Sequence, residues 1–166
     1  LPGTELRLDW WGRLCGKFDF LGFGRTHCPS IWPTTRANLA AICECRNGAE
    51  QAQVQVLFVT IDPQRDSAAV LKEYVPYFNQ HFGGLTGTPK EVAAVAKGFG
   101  VEVEKTLDWG GSDANYTMSR SAGARVLSPG GHWLSSYGSE QLTQRDRVAE
   151  DLRHFIAQSN QKEPAY

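Results

Sequence analysis

The sequence predicts an α/β domain in which helices flank a central mixed sheet and a C-terminal β-hairpin and helix close the chain. Three observations predict it. Phe18–Phe23 and Val54–Ile61 are nearly unbroken apolar runs of strand length, suited to strands buried on both faces. Each is followed by a segment whose apolar residues recur at helical spacing. Two further short runs, Ala122–Leu127 and His132–Tyr137, flank Ser128-Pro129-Gly130-Gly131, the pattern of a hairpin.

The elements follow in order. Phe18–Phe23 is the first strand. Thr34–Cys45 is a helix, with Pro33 near its start, where the missing N–H costs nothing, and Gly48 beyond its end. Val54–Ile61 is the second strand. Asp66 is expected to cap the next helix, in which Val70, Leu71, Tyr74, Val75 and Phe78 fall at helical spacing. Thr88-Pro89-Lys90-Glu91 reads as a capping box with proline at the first helical position. Val92, Val95, Ala96 and Phe99 form that helix's apolar stripe. Asp108–Asn115, with paired glycines, is expected to be a flexible loop. Val148, Leu152, Phe155 and Ile156 mark the closing helix, and residues 159–166 are expected to fray. This order of strand–helix units, hairpin and helix fits a thioredoxin-like fold in one domain over 1–166.

Length and composition agree. A chain of 166 residues, 41% hydrophobic and 21% charged, suits one core. Seventeen basic against eighteen acidic residues leave no electrostatic footprint for nucleic acid. No apolar run approaches the roughly 20 residues of a membrane span. Leu1-Pro2-Gly3-Thr4 has neither the basic start nor the apolar run of a signal peptide.

The chemistry concentrates at Phe23–Thr35, F-G-R-T-H-C-P-S-I-W-P-T-T. Cys28 lies between a strand's C-terminal edge and the helix that Pro33 opens. Unpaired N–H groups and the positive dipole end there favour thiolate over thiol, so Cys28 is expected to be more acidic than a free cysteine, whose pKa is about 8.5. Burial beneath Trp32 would act in the opposite direction. The other cysteines are Cys15, Cys43 and Cys45. Cys28 and Cys43 lie at opposite ends of one predicted helix, roughly 22 Å apart at about 1.5 Å per residue, too far for a disulfide. For Cys43-Glu44-Cys45 three readings stay open: one buried and one exposed thiol, a disulfide to Cys15, or a surface metal site. The last is opposed by side chains two residues apart pointing away from each other on a helix.

Other residues carry two readings each. His27 adjoins Cys28, which invites a ligand or base role against a structural one. His132 is either exposed beside the turn or a ligand; His81 and His154 carry no partner signal. Met118, the single methionine, is either core or a soft ligand. Asp62 and Asp66 are either loop-fixing and capping residues or a carboxylate pair. Trp32 is core packing, a shield over the thiol or part of a partner surface, and Trp109, in a glycine-rich loop, is the better candidate for partner contact. Trp10, Trp11 and Trp133 complete an unusual number of tryptophans. Arg120 reads as a solvated hairpin residue or as an ion-pair partner of Asp113.

The segment Phe23–Thr35 resembles that of the Sco/SenC family of copper chaperones, which carries F-G-Y-T-H-C-P-D-V-C-P-T-T. Val59-Thr60-Ile61-Asp62-Pro63-Gln64-Arg65-Asp66 is similar to the family's V-S-V-D-P-E-R-D, and Gly84–Pro89 to its G-L-T-G-T-P. The resemblance covers roughly residues 16–156; the segment 1–15 diverges. It implies a thioredoxin-like fold, copper as cargo, and a role in copper handling or cytochrome c oxidase assembly. It also implies an exported or membrane-anchored location, the periplasm or mitochondrial intermembrane space, and a copper-oxidase subunit or another copper or redox protein as partner. The family binds copper through two cysteines of C-x-x-x-C and a distant histidine. Cys28 matches the first, Trp32 stands at the second, and Tyr116–Ala122 aligns with Y-T-V-D-H-S-A, which places Arg120 at the histidine. Arginine stays cationic and offers no lone pair, so two of the three ligands are missing.

Three functions follow as expectations. One is a Sco-like protein with a degenerate copper site in which Cys28 alone remains as a metal ligand. The second is a single-cysteine thiol redox protein, with Cys28 the reactive thiol and Arg120 its thiolate stabiliser. The third is a scaffold that binds a partner without chemistry.

Overall fold

The structure is a computed structural model, and it describes residues 16–26, 32–44, 48–77, 79, 82–107, 116–120 and 123–162; at 32–36, 104–107, 116–120 and 162 it describes the backbone alone. Seven strands and six helices are assigned among these residues: β1 (Phe18–Gly24), α1 (Trp32–Glu44), α2 (Gly48–Ala52), β2 (Val54–Thr60), α3 (Ala68–Tyr74), β3 (Gly83–Leu85), α4 (Pro89–Gly98), β4 (Val103–Leu107), β5 (Tyr116–Arg120), β6 (Ala124–Leu127), β7 (Trp133–Tyr137), α5 (Ser139–Thr143) and α6 (Arg145–Lys162). A single 3₁₀ turn, Val75–Tyr77, follows α3.

Five strands form one mixed sheet in the order β3-β2-β1-β6-β7. β1 and β2 are parallel, as are β2 and β3; β6 lies antiparallel to β1, and β7 to β6. The predicted hairpin is present, with an irregularity between Val126 and Leu127. β4 and β5 pair antiparallel as a separate ribbon. The sequence pattern had not announced β5 or the short β3, and it placed no helix at α2 or α5.

β1 is central and every one of its residues is buried. Its alternate side chains supply two cores. Phe18 and Phe20 join Val54, Val56, Ala124 and Val126 against Leu39 and Ile42 of α1, Leu142 of α5, and Val148, Leu152 and Ile156 of α6. Leu21 and Phe23 join Leu57, Val59, Ile61, Leu85 and Leu127 against Ala96 and Val101. Burial on both faces removes the polar alternation of a half-exposed strand, which is why β1 and β2 read as continuous apolar runs.

Two glycines are required by close approach. A Cβ on Gly84 would lie 3.1 Å from Leu71 and Val75, which pack over β3. Gly123 has a φ of +129°, and a Cβ there would lie 2.3 Å from the carbonyl oxygen of Tyr137.

The capping box at α4 is formed: the Thr88 hydroxyl accepts from the Glu91 N–H at 3.4 Å, and the Thr88 N–H donates to Glu91 Oε2 at 3.0 Å. The expected cap at Asp66 is corrected. Ser67 is the N-cap of α3 and accepts from the Val70 N–H, while Asp66 turns inward. Val70, placed on the apolar stripe from its spacing, is exposed, because α3 is only two turns long and buries Leu71. The closing helix continues to Lys162, past the expected fraying point after Gln158. Among the described residues no helix is long and apolar enough to cross a membrane.

Candidate functional site

The parallel strands β1, β2 and β3 end at one edge of the sheet, and loops leave from it. In open α/β sheets this carboxyl edge is where ligand chemistry is usually placed. The chain runs from Gly24 at this edge, through Arg25 and Thr26, toward His27 and Cys28, and enters α1 at Trp32. Pro33 is therefore the second residue of the helix, and Cys28 precedes the helix by four positions.

The edge is organised by a buried carboxylate. Asp66 has no exposed surface. Its Oδ2 accepts from the Thr26 N–H at 3.0 Å and from the Thr60 hydroxyl at 2.8 Å, and its Oδ1 accepts from the Thr26 hydroxyl at 2.5 Å. Its backbone carbonyl accepts from the Thr86 hydroxyl at 3.0 Å. One residue thus joins the end of β1, the end of β2 and the loop after β3. Hydrogen bonds to a carboxylate contribute about 1.5–3 kcal/mol each, so the hub is expensive to break.

Asp62 performs the loop-fixing role expected of it. Its carbonyl accepts from the Arg65 and Asp66 N–H groups, its own N–H donates to the Thr60 hydroxyl, and its buried carboxylate lies 3.7 Å from the Arg65 guanidinium. These bonds present Asp66 to Thr26. Sequence reasoning missed Thr26, Thr60 and Thr86 as functional partners; the signal was a threonine ending or following each apolar strand.

The predicted site residues divide. Cys28 and His27 lie outside the described residues, as do Cys15, Cys45, His81, Trp109 and Asp113. Trp32 is described as the first backbone residue of α1, Arg120 as the last of β5, opposite Val103, and Met118 opposite Lys105; their side chains lie outside the description. His132 is exposed in the β6–β7 turn, where its N–H donates to the Ser128 hydroxyl. That turn adjoins the start of β1, since the Gly16 N–H donates to the Pro129 carbonyl. His132 therefore sits at the foot of the sheet, roughly 20 Å from the carboxyl edge at about 3.3 Å per strand residue. It is not brought together with Asp66 and Thr26. His154 faces Gln158 on α6, 3.0 Å away. Cys43 is half-buried near the end of α1.

On the sheet face of Leu21 and Phe23, Arg125 of β6 donates to the Phe99 carbonyl at 2.9 Å and lies over the Trp133 ring, 5.9 Å from its centroid. Burial lowers its pKa from the ordinary value. Phe99 bridges Trp133 to Phe23, at centroid distances of 5.9 and 6.1 Å. Trp133 remains about half exposed.

Comparison with known proteins identifies the framework. The family model described as SCO1/SenC matches residues 11–157. The chain is 33% identical over 146 residues to the mitochondrial protein SCO1 homolog 1 of Arabidopsis thaliana, a match covering 86% of this chain and 42% of that protein. Across the first curated relatives the chain spans 42% to 60% of their length. Among solved structures, apo Sco1 of Thermus thermophilus superposes with a TM-score of 0.77 at 33% identity, covering 86% of this chain and 81% of that one. Arabidopsis thaliana ScoI with copper bound gives 0.73 at 31%, covering 87% and 89%. A central β1 ending in the threonine-bound turn before Cys28, on this sheet order and with these matches, carries one conclusion: the fold is thioredoxin-like and the chain belongs to the SCO1/SenC family.

Proposed function

We propose that this chain acts in copper handling or cytochrome c oxidase assembly, with a copper site reduced to Cys28 of the family's three ligands. The observation that supports this most is the family match over residues 11–157, which includes the segments carrying Cys28, Trp32 and Arg120. Relatives with copper bound share the fold. A Cu(I) ion needs two or three soft ligands, and one thiolate beside an arginine does not supply them. His132, at the foot of the sheet, is poorly placed to replace them. The protein then works on a copper-oxidase subunit or another copper or redox protein, from an exported or membrane-anchored position in the periplasm or intermembrane space.

Titration of the reduced protein with Cu(I) against a strong competing chelator tests the site. The expected result is no tight binding that depends on Cys28; tight one-to-one binding abolished by Cys28→Ser overturns it. Cells lacking the protein are expected to lose oxidase activity, which the wild-type chain restores. Undiminished activity without the protein overturns the assembly role.

The replacement of histidine by Arg120 favours a second reading, in which Cys28 is a reactive thiol stabilised by that cation. Alkylation rate against pH, in a variant keeping only Cys28, is then expected to report a thiol more acidic than a free cysteine. Arg120→Ala is expected to raise its pKa; no change sinks this reading.

A further inference from the structure

Asp19 is the second residue of β1 and has no exposed surface. It shares a sheet face with Leu21, Leu57 and Leu127, because the register sets Asp19 beside Gln55 on β2 and Leu127 on β6. Its Oδ1 accepts from Gln55 Nε2 at 2.5 Å. Its Oδ2 is buried with no hydrogen-bond partner among the described residues.

Among the described residues no cation is positioned to neutralise it. Lys17, just before β1, is exposed and bears on it only as a charge at a distance. Arg125, on the same face of β6, is committed to the Phe99 carbonyl and the Trp133 ring. On α4, which packs over this face, Lys90 and Lys97 are exposed and Glu91 closes the capping box. Glu102, after α4, is also exposed. A carboxylate held in apolar surroundings by one neutral amide is unstable relative to its protonated form, which places no charge there.

We propose that the folded domain carries Asp19 as a neutral carboxylic acid through the mildly acidic range, so that folding takes up a proton and the sheet's stability responds to pH. The proposal does not depend on the copper reading. The direction of the shift agrees: burial pushes the Asp19 carboxyl up to about 7, against smaller opposing effects of Gln55 and Lys17. In the unfolded chain the ordinary value is about 3.9. Between these values the folded protein binds one more proton than the unfolded chain. This contribution is therefore most favourable at the acid end, falls as pH rises through the window, and levels off above about pH 7.

Denaturant unfolding of the purified wild-type chain and of Asp19→Asn, measured from pH 5 to pH 8, tests it. The wild-type folded-to-unfolded ratio, relative to the variant's, is expected to fall by up to about tenfold per pH unit across the window. The variant's advantage is then greatest at pH 8. Parallel profiles, or a variant less stable than wild type at pH 8 by the same margin as at pH 5, overturn the proposal. Infrared spectroscopy of the folded wild type at pH 6, with aspartate isotopically labelled, keeps it testable if the variant does not fold. A neutral carboxyl band that disappears on unfolding at that pH is expected; its absence overturns the proposal.

Discussion

The two ends of β1 each hold a buried aspartate, and they are provided for in opposite ways. At the carboxyl edge, both oxygens of Asp66 take hydrogen bonds from donors on Thr26 and Thr60. At the foot, Asp19 has one amide donor and a second oxygen with no partner among the described residues. Exposure alone does not distinguish them, since neither shows any surface. What differs is the donor set. At one end the carboxylate organises three chain segments; at the other, the group is a cost that a proton relieves.

The strongest way to break this contrast is Asp66→Ala. It strands two threonine hydroxyls and a backbone N–H beneath the surface, each unmet donor costing about 1–3 kcal/mol. A loss of about 4 kcal/mol is expected from denaturant midpoints at unchanged slope. A loss under about 1 kcal/mol would mean that the hub is ornamental. Asp19→Asn is the intermediate case and has the opposite sign. At pH 8 a gain of up to about 4 kcal/mol corresponds to the full span between about 3.9 and about 7, and the gain is expected to shrink toward zero by pH 4. A gain independent of pH would show ordinary packing relief instead of proton linkage. The smallest effect sharpens the scale: Thr88→Ala removes the exposed capping box of α4, which involves neither aspartate side chain, and is expected to cost about 1 kcal/mol near neutral pH.

The sequence made much of this fold legible. β1 and β2 were visible as apolar runs because both faces are covered, and the Thr88 cap and the closing hairpin had local signatures. β5 was hidden because its neighbour across the ribbon, β4, lies beyond a glycine-rich segment and neither strand has a strong apolar alternation. β3 was hidden because three residues, two of them glycine, leave little pattern to detect. Asp66 was misassigned for a physical reason. An aspartate just before a helix is a good cap by local rules, but Ser67 serves that purpose, and long-range donors at Thr26 and Thr60 claim Asp66. Asp19 passed unnoticed inside an apolar run because one polar residue does not alter the run's character. The site itself was legible as chemistry, in Cys28, Trp32 and Arg120, while the turn that leads toward Cys28 depends on contacts 40 residues apart that no local pattern encodes.

The sheet order also has a consequence for biosynthesis. β1 is the first strand of the sheet to emerge, and β2 covers one of its sides some 30 residues later, but the other side is filled by β6, where Asp19 meets Leu127. More than 100 residues must therefore leave the ribosome before the central strand loses its open edge. Throughout that interval the nascent chain displays an apolar strand with an unpaired edge, the template on which chains stick to one another. Chains halted before β6 are thus the ones that need a chaperone, and completion of the closing hairpin is the step that makes the domain safe to release.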